Sequence, residues 1–550
     1  MENIVEPAIE TDLPENEGYR HNDNNHNRYD IIQSLKNDLK KEAQARKQKQ
    51  NLYNWVKGDL EAPQLNFKNG EFSKYKDFSA SELFELFFDD SVFDLLVEQT
   101  NLYALFKNSP NPYISKSDIK CVFAIFVLSG YNSLPGRRFY WDSQSDMHNA
   151  LVCNAMRRNR FEQCLRFLHC ADNNNEDSSD KMWKLRPLMN ILKKHFQEHF
   201  VPVSNLSYDE SMIEYFGRHG CKQFIRGKPV RFGFKAWCLN TPSGYLINFD
   251  IYQGKSLNMP TDYETLFGKA AAPLVRMIDE FPLCKSVLPF RFFFDNLFTS
   301  FRLLQYLGAL GYGAIGTLRE DRIPQSCPLP SKKELKTKER GFHEAALCTD
   351  NGVLVCKWVD NGVVSISSNY SGVNPLTTAK RYSQKEKKHV LVSRPALFTE
   401  YNKSMGGTDR MDQNIAQYRI GIRSKKWYWS IFTWLIDASI QNAWQLRRSS
   451  GNMQPQLDFR REIVIAYITK YGEAGKGPGR PMSSKRSLSG NRISDEIRYD
   501  GINHLVAKVP NKKKIRCAGE GCTSIMRSMC KKCNLGLCLE CFEDFHTVTH

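Results

Sequence analysis

The sequence predicts an α/β protein. A helical segment precedes a core of three strands, helix, strand, helix and strand; a β-rich insertion follows, and a small cysteine-rich domain closes the chain. Three observations carry this reading. Apolar residues recur at helical spacing from Ser79 to about His199. From Leu206 the texture changes to short apolar or alternating runs separated by Gly and Pro. Beyond Arg516, cysteines and histidines crowd in pairs.

With 550 residues, 41% hydrophobic and 12% aromatic, the chain can bury a sizeable core in several domains. Lys plus Arg total 77 against 60 for Asp plus Glu, a net charge of +17. Such a surplus favours nucleic acid or an anionic membrane surface as partner. The longest apolar stretch, Cys121 to Leu128, is too short to span a bilayer and suits a buried helix. The opening Met-Glu-Asn-Ile-Val-Glu lacks the basic-then-apolar layout of an export signal, and the scattered cysteines fit reduced thiols in cytosol or nucleus.

In chain order, residues 1–75 are polar and are expected to be largely disordered, with at most one charged helix at the basic run Lys36 to Lys49. Ser79-Ala-Ser-Glu82 is a capping box that opens a helical region over 76–204. Basic clusters stud that region, at Arg137-Arg138, Arg157 to Arg160 and Lys193-Lys194. Residues 205–321 hold strands at Asn205 to Phe216, Gly233 to Asn240 and Gly244 to Tyr252 and a helix from about Asp262 to Glu280. A strand at Phe290 to Phe294, a helix at Ser300 to Leu307 and a strand at Tyr312 to Arg319 complete them. This is the order of an RNase H-like core. Residues 322–392 read as a small inserted β-rich domain, 393–418 as the return to the core, and 419–471 as an aromatic helical region. A basic linker over 472–510 contains Gly479-Arg480-Pro481, and 511–550 form the cysteine-rich domain.

Four aspartates stand out. Asp209 and Asp295 lie in or just after apolar runs that read as buried strands, where an unpaired carboxylate is costly. Hard divalent cations offset that cost through oxygen ligands. Asp409 and Asp412, spaced i, i+3 after Gly406-Gly407, share one face of a helix that begins there. Two-metal phosphoryl transfer needs carboxylates converging from separate elements, and in the proposed core the strands bearing Asp209 and Asp295 are neighbours. The plainer account of Asp409 and Asp412 is the preference of helix N-termini for acidic residues. Four aspartates in this order, in a chain this basic, favour metal-assisted chemistry on a polyanion.

The phrases around these residues resemble the piggyBac-type transposases. They are Ser207-Tyr-Asp-Glu210, Gly217-Arg218 and Gly227-Lys-Pro229; Phe293-Phe-Asp-Asn296 and Gly316-Thr317; and Tyr401-Asn402, Met405-Gly-Gly-Thr-Asp409 and Asp412-Gln413. The resemblance runs from about Ser79 to His550. It implies a cut-and-paste DNA transposase with an RNase H-like core interrupted by an insertion, a flanking helical dimerisation and DNA-binding region, and a terminal cysteine-rich domain. Asp209, Asp295 and Asp409 match the catalytic, Mg²⁺- or Mn²⁺-binding triad, and Asp412 matches an additional essential aspartate. Trp427 matches a tryptophan near the active site, with base or hairpin stacking as its implied role; core packing of an aromatic helix is the plainer one. The implied chemistry is cleavage at each element end, hairpin formation and opening, and insertion at TTAA, by a homodimer on double-stranded DNA in the nucleus.

In the tail, Cys517, Cys522, Cys530, Cys533, Cys538, Cys541, His546 and His550 form four pairs that suit two tetrahedral Zn²⁺ ions. Interleaved pairing, first with third and second with fourth, resembles RING and PHD cross-braces and the family's own terminal domain; sequential pairing stays open. Lys512, Lys513 and Lys514 offer phosphate contacts, and Arg480 could enter an A·T-rich minor groove. The competing reading is a domesticated, transposase-derived DNA- or chromatin-binding protein without mobility.

Overall fold

The computed structural model describes residues 17–48, 53–61, 66–109, 112–254, 261–473, 493, 495–510 and 513–547. The chain forms two compact units, one of residues 1–69, 203–209 and 258–406, the other of 70–202, 210–257 and 407–550. Its first twelve strands are β1 (Trp55–Lys57), β2 (Asn205–Glu214), β3 (Lys222–Phe224), β4 (Phe232–Asn240), β5 (Leu246–Ile251), β6 (Arg291–Phe294), β7 (Gly313–Thr317), β8 (His343–Cys348), β9 (Val353–Val359), β10 (Val363–Ser368), β11 (Thr377–Ser383) and β12 (Lys388–Arg394). The boundary between the units falls within β2, after Asp209.

In the first unit, β2 pairs in parallel with β6 and β6 in parallel with β7. From β7 the sheet runs antiparallel through β10, β9 and β8 to β1. The short runs of β6 and β7 are buried on both faces, which is why they read as continuous apolar stretches. The helix expected over Asp262 to Glu280 is broken at Gly268, whose φ of +83° ends one helix before another begins at Ala272.

Two expectations are corrected here. Strands β8 to β10 extend this sheet past β7 and close no sheet of their own; only β11 and β12 stand apart, as a two-stranded ribbon. Alternation identifies a strand but carries no information about which edge it joins. The N-terminal region is also more ordered than its composition implied. Glu17–Gln48 is a helix, tied to this unit by Arg28–Asp279 (2.6 Å), Lys36–Asp262 (2.6 Å) and Arg302–Glu42 (2.5 Å). Its buried apolar residues, Ile32 and Leu35, are few among many charged and polar ones, so the apolar period is weak in the sequence. Downstream, Asp59 accepts backbone N–H bonds from Val373 and Asn374.

In the second unit, β4 carries β3 and β5 along one edge, and the C-terminal half of β2 lies beside it, Tyr215 N donating to Phe232 O. Helices from both sequence flanks build the rest. Lys116–Ser129 is buried from Ile119 onward, as its apolar run predicts, and packs on Gln456–Tyr471; Trp429–Ser449 packs on Ala80–Glu85. The capping box at Ser79 and Glu82 is formed. Phe84, Phe88, Phe93 and Phe123 interlock edge to face and stacked, each fully buried Phe contributing roughly 1.5–3 kcal/mol.

Candidate active site and metal centres

Parallel register places the first two aspartates side by side in the first unit. Tyr208 is paired with Phe294, so Asp209, in the middle of β2 just past its paired stretch, lies beside Asp295, which follows the end of β6. Both are half-buried. Asp295 Oδ1 accepts from Leu297 N at 2.7 Å, and its carbonyl accepts from Thr299 Oγ1 at 2.7 Å, which fixes the turn that presents it. Gly316 explains its own place in the motif: a Cβ there would lie 2.2 Å from Thr299 Oγ1 and 2.7 Å from the Phe294 ring. Tyr401, on the helix Ala396–Ser404, belongs to the same neighbourhood. Its hydroxyl is pushed up to about 12 by burial, with the charges of Asp295 and Asp209 adding and a Thr317 hydrogen bond opposing.

Sequence reasoning missed the residue that braces this turn. Arg322 Nη1 donates to the carbonyls of Asn296 (3.2 Å), Leu297 (3.0 Å) and Thr299 (2.6 Å), while Arg319 Nε donates to Asn296 Oδ1. In sequence, these arginines look like any basic loop residues.

The other two aspartates lie in the second unit, on the helix Gly407–Gln417, which begins where Gly406-Gly407 suggested. Asp409 is exposed in the first turn and Asp412 is half-buried one turn on. Ser211 Oγ, from the second half of β2, donates to Asp412 Oδ1 at 2.6 Å. Burial pushes the Asp412 carboxyl up to about 7; the Ser211 bond and the Lys228 and Arg419 charges oppose this, and Asp409 adds to it. Lys228, from the Gly227-Lys-Pro229 phrase, donates to Glu210 O at 3.3 Å and lies 3.7 Å from Glu210 Oε1. The helix is bolted to the end of β4 by Thr408 Oγ1 donating to Asn240 Oδ1 at 2.9 Å. Beyond it, the buried pair Arg460–Asp437 (2.9 Å) holds the chain at Tyr418 O and Ile420 N.

Trp427 precedes the helix Trp429–Ser449 and is not part of it. Its half-buried indole stacks on His219, centroids 4.3 Å apart at 23°, with Tyr428 edge-on.

Among the described residues, groups of three or more potential ligands with all donor atoms within 4.8 Å of one another occur at two places, both in the tail; the aspartates form no such group. The first is Cys517, Cys522, Cys538 and Cys541, the interleaved pairing of first with third pair. The second is His504, Cys530, Cys533 and His546. His550 lies outside the described residues, and His504, which sequence reasoning passed over, completes the set. The groups around these ligands suit metal binding. His504 Nδ1 faces Cys530 and Cys533 at 3.4 Å while Nε2 meets Asp500 Oδ1 at 3.0 Å; His546 Nδ1 meets Arg498 O at 3.0 Å. Backbone N–H groups of Gly519 and Cys538 point at Cys517 Sγ, and that of Cys533 at Cys530 Sγ. Such soft thiol and imidazole sets could hold metal ions.

The tail therefore begins earlier than expected. The helix Asp495–Arg498, His504 and the strand Val506–Lys508, assigned above to the linker, are built into it; the strand pairs with Ser528–Cys530. Lys513 and Lys514 are exposed ahead of the strand Ile515–Arg516. Arg480 and Lys512 lie outside the described residues.

A family model described as Transposase IS4 matches residues 79–444. PiggyBac transposable element-derived protein 3 of Homo sapiens is 42% identical over 85% of this chain and 76% of its own length. PiggyBac transposable element-derived protein 2 of Homo sapiens is 38% identical over 86% and 77%. A cryo-EM structure of a piggyBac transposase synaptic complex with hairpin DNA matches in fold, at 17% identity and a TM-score of 0.58, covering 86% of this chain and all of that one. No described helix is long and apolar enough to cross a membrane. The chain belongs to the piggyBac transposase family.

Proposed function

We propose that this chain is a cut-and-paste DNA transposase whose catalytic residues are Asp209, Asp295, Asp409 and Asp412. The observation that carries the reading is that Asp209 and Asp295 each follow the last paired residues, Tyr208 and Phe294, of the parallel strands β2 and β6, both acting on Tyr401. The order β5, β4, β2, β6, β7 supports an RNase H-like core. Strand β2 carries Asp209 and, two residues on, Ser211, which holds Asp412.

Asp209, Asp295 and Asp409 are a hard oxygen set suited to Mg²⁺ or Mn²⁺, which when bound would activate the attacking oxygen and stabilise the leaving one. The chain's own residues do the positioning. Arg322 and Thr299 hold the Asp295 turn, Ser211 orients Asp412, and the Asp412 carboxyl, at about 7, can hold a proton near neutral pH. Each phosphoryl transfer is an in-line displacement: water oxygen bonds to phosphorus as the 3′ oxygen leaves, taking up a proton, and the freed 3′-OH then bonds to a phosphorus of the opposite strand as that strand's own 3′ oxygen leaves. Hairpin intermediates, TTAA targets, a homodimer and nuclear residence follow from the piggyBac resemblance. The Cys₄ set and the His504, Cys530, Cys533 and His546 set are proposed to bind one Zn²⁺ each, supplying folding energy to a tail too small for an adequate core. Trp427, with Lys513 and Lys514, is proposed to contact DNA.

Purified chain, Mg²⁺ and DNA carrying candidate inverted repeats test this. Strand cleavage and hairpin products that vanish in Asp295→Asn support it; equal activity in that variant defeats it. The second reading, a transposase-derived DNA-binding protein, draws on two human relatives whose names mark them as element-derived. Tight DNA binding without cleavage under any divalent metal would favour it.

A further inference from the structure

The ribbon β11–β12 stands apart from the main sheet and has two unlike faces. Register pairs Thr378 with Ser393, Lys380 with Leu391 and Tyr382 with His389, and all six are exposed. The alternate residues turn inward: Ala379 and Val392 are buried, and Arg381 joins Arg340 on Asp360. The inward charges are thus already matched, while Lys380, Lys385, Lys387 and Lys388 lie on the outward face and at the exposed tip. Of these, Lys388 pairs with Glu386 at 3.1 Å. Leu391 and Tyr382 are 72% and 54% exposed, so the outward face also carries exposed apolar surface.

We infer that this ribbon is a duplex-DNA contact element that lays its outward face in a major groove, its four lysines against phosphates. The inference rests on the DNA-acting reading above. Seven residues per strand give a ribbon of about 23 Å, and the major groove, about 12 Å wide, admits a two-stranded ribbon. The exposed positive charge of these lysines favours a polyanion, and Tyr382, His389 and Leu391 supply groups that can lie on sugars and base edges.

The test is the salt dependence of binding by the full chain to a fluorescent random-sequence duplex, read by anisotropy. Combined Lys380→Gln, Lys385→Gln, Lys387→Gln and Lys388→Gln should shrink the slope of log affinity against log salt by about 3 to 4, near 0.9 per lost phosphate contact. Glu386→Lys should steepen it by about 0.9. Asp295→Asn, run in parallel, should abolish cleavage while keeping the ribbon-dependent slope, which separates this inference from the catalytic assignment. A wild-type slope in the fourfold variant, with its melting unchanged, overturns the ribbon alone and points to a protein partner for this face. Failure of the wild-type chain to bind duplex DNA overturns both.

Discussion

Ser211 donates its hydroxyl to the Asp412 carboxylate at 2.6 Å, linking β2 to the helix that bears Asp409. The bond opposes a burial cost that still leaves the carboxyl at about 7.

Stability should carry that carboxyl's signature. A folded pKa raised above the unfolded value of 3.8 gives a contribution that is complete below about pH 4 and lost as pH rises through about 7. Asp412→Asn should therefore gain thermal stability relative to wild type progressively from about pH 4 to about pH 7 and level off above it, measured without added divalent ion. Ser211→Ala should move the titration upward. A pH-independent difference between wild type and Asp412→Asn would refute the assignment.

Arg322 anchors the turn after Asp295 through three carbonyls. Arg322→Ala should cost about 1.5–3 kcal/mol in denaturant melts, the range for hydrogen bonds to a charged donor, and should reduce strand cleavage while leaving zinc content intact. Cleavage at the wild-type rate would show that the turn needs no brace.

Zinc stoichiometry distinguishes His504 from His550. His504→Ala should lower the content from about two ions per chain to about one, and His550→Ala should leave it at about two. The reverse pattern would return the ligand to the C-terminal end. Asp500→Ala should weaken the second site by about 10–100-fold in a chelator competition, since Asp500 orients the imidazole.

The Arg460–Asp437 pair is fully buried. Arg460→Met should cost about 3–5 kcal/mol, because it strands a buried carboxylate. Replacing both partners with apolar residues should cost much less in equilibrium unfolding.

Much of this site was legible in the residues. Asp209 and Asp295 announce themselves by sitting in apolar runs, and Asp409 and Asp412 by their helical spacing after two glycines. Cys517 to Cys541 show by their spacing that they come in ligand pairs. Which pairs share an ion comes only from resemblance to cross-brace domains, and sequential pairing is left open until the structure groups Cys517, Cys522, Cys538 and Cys541. What escaped lies where sequence distance hides a contact. His504 sits well before the first cysteine in a polar stretch, Arg322 acts through backbone carbonyls that no side-chain pattern records, and the helix Glu17–Gln48 is held by ion pairs to residues more than 200 positions away. Strands β8 to β10 were visible as strands, but their attachment to β7 depends on edge pairing, which alternation does not encode.

The central proposal is that Asp209, Asp295 and Asp409 are metal ligands. Iron-mediated backbone cleavage tests it most directly: Fe²⁺ is added to zinc-loaded protein with ascorbate and peroxide, and the fragments are mapped by mass spectrometry. The account predicts cuts near Asp209, Asp295 and Asp409 together, all three lost in Asp295→Asn and all suppressed by excess Mg²⁺. Cuts confined to one of these segments, or a pattern that survives Asp295→Asn, would contradict it.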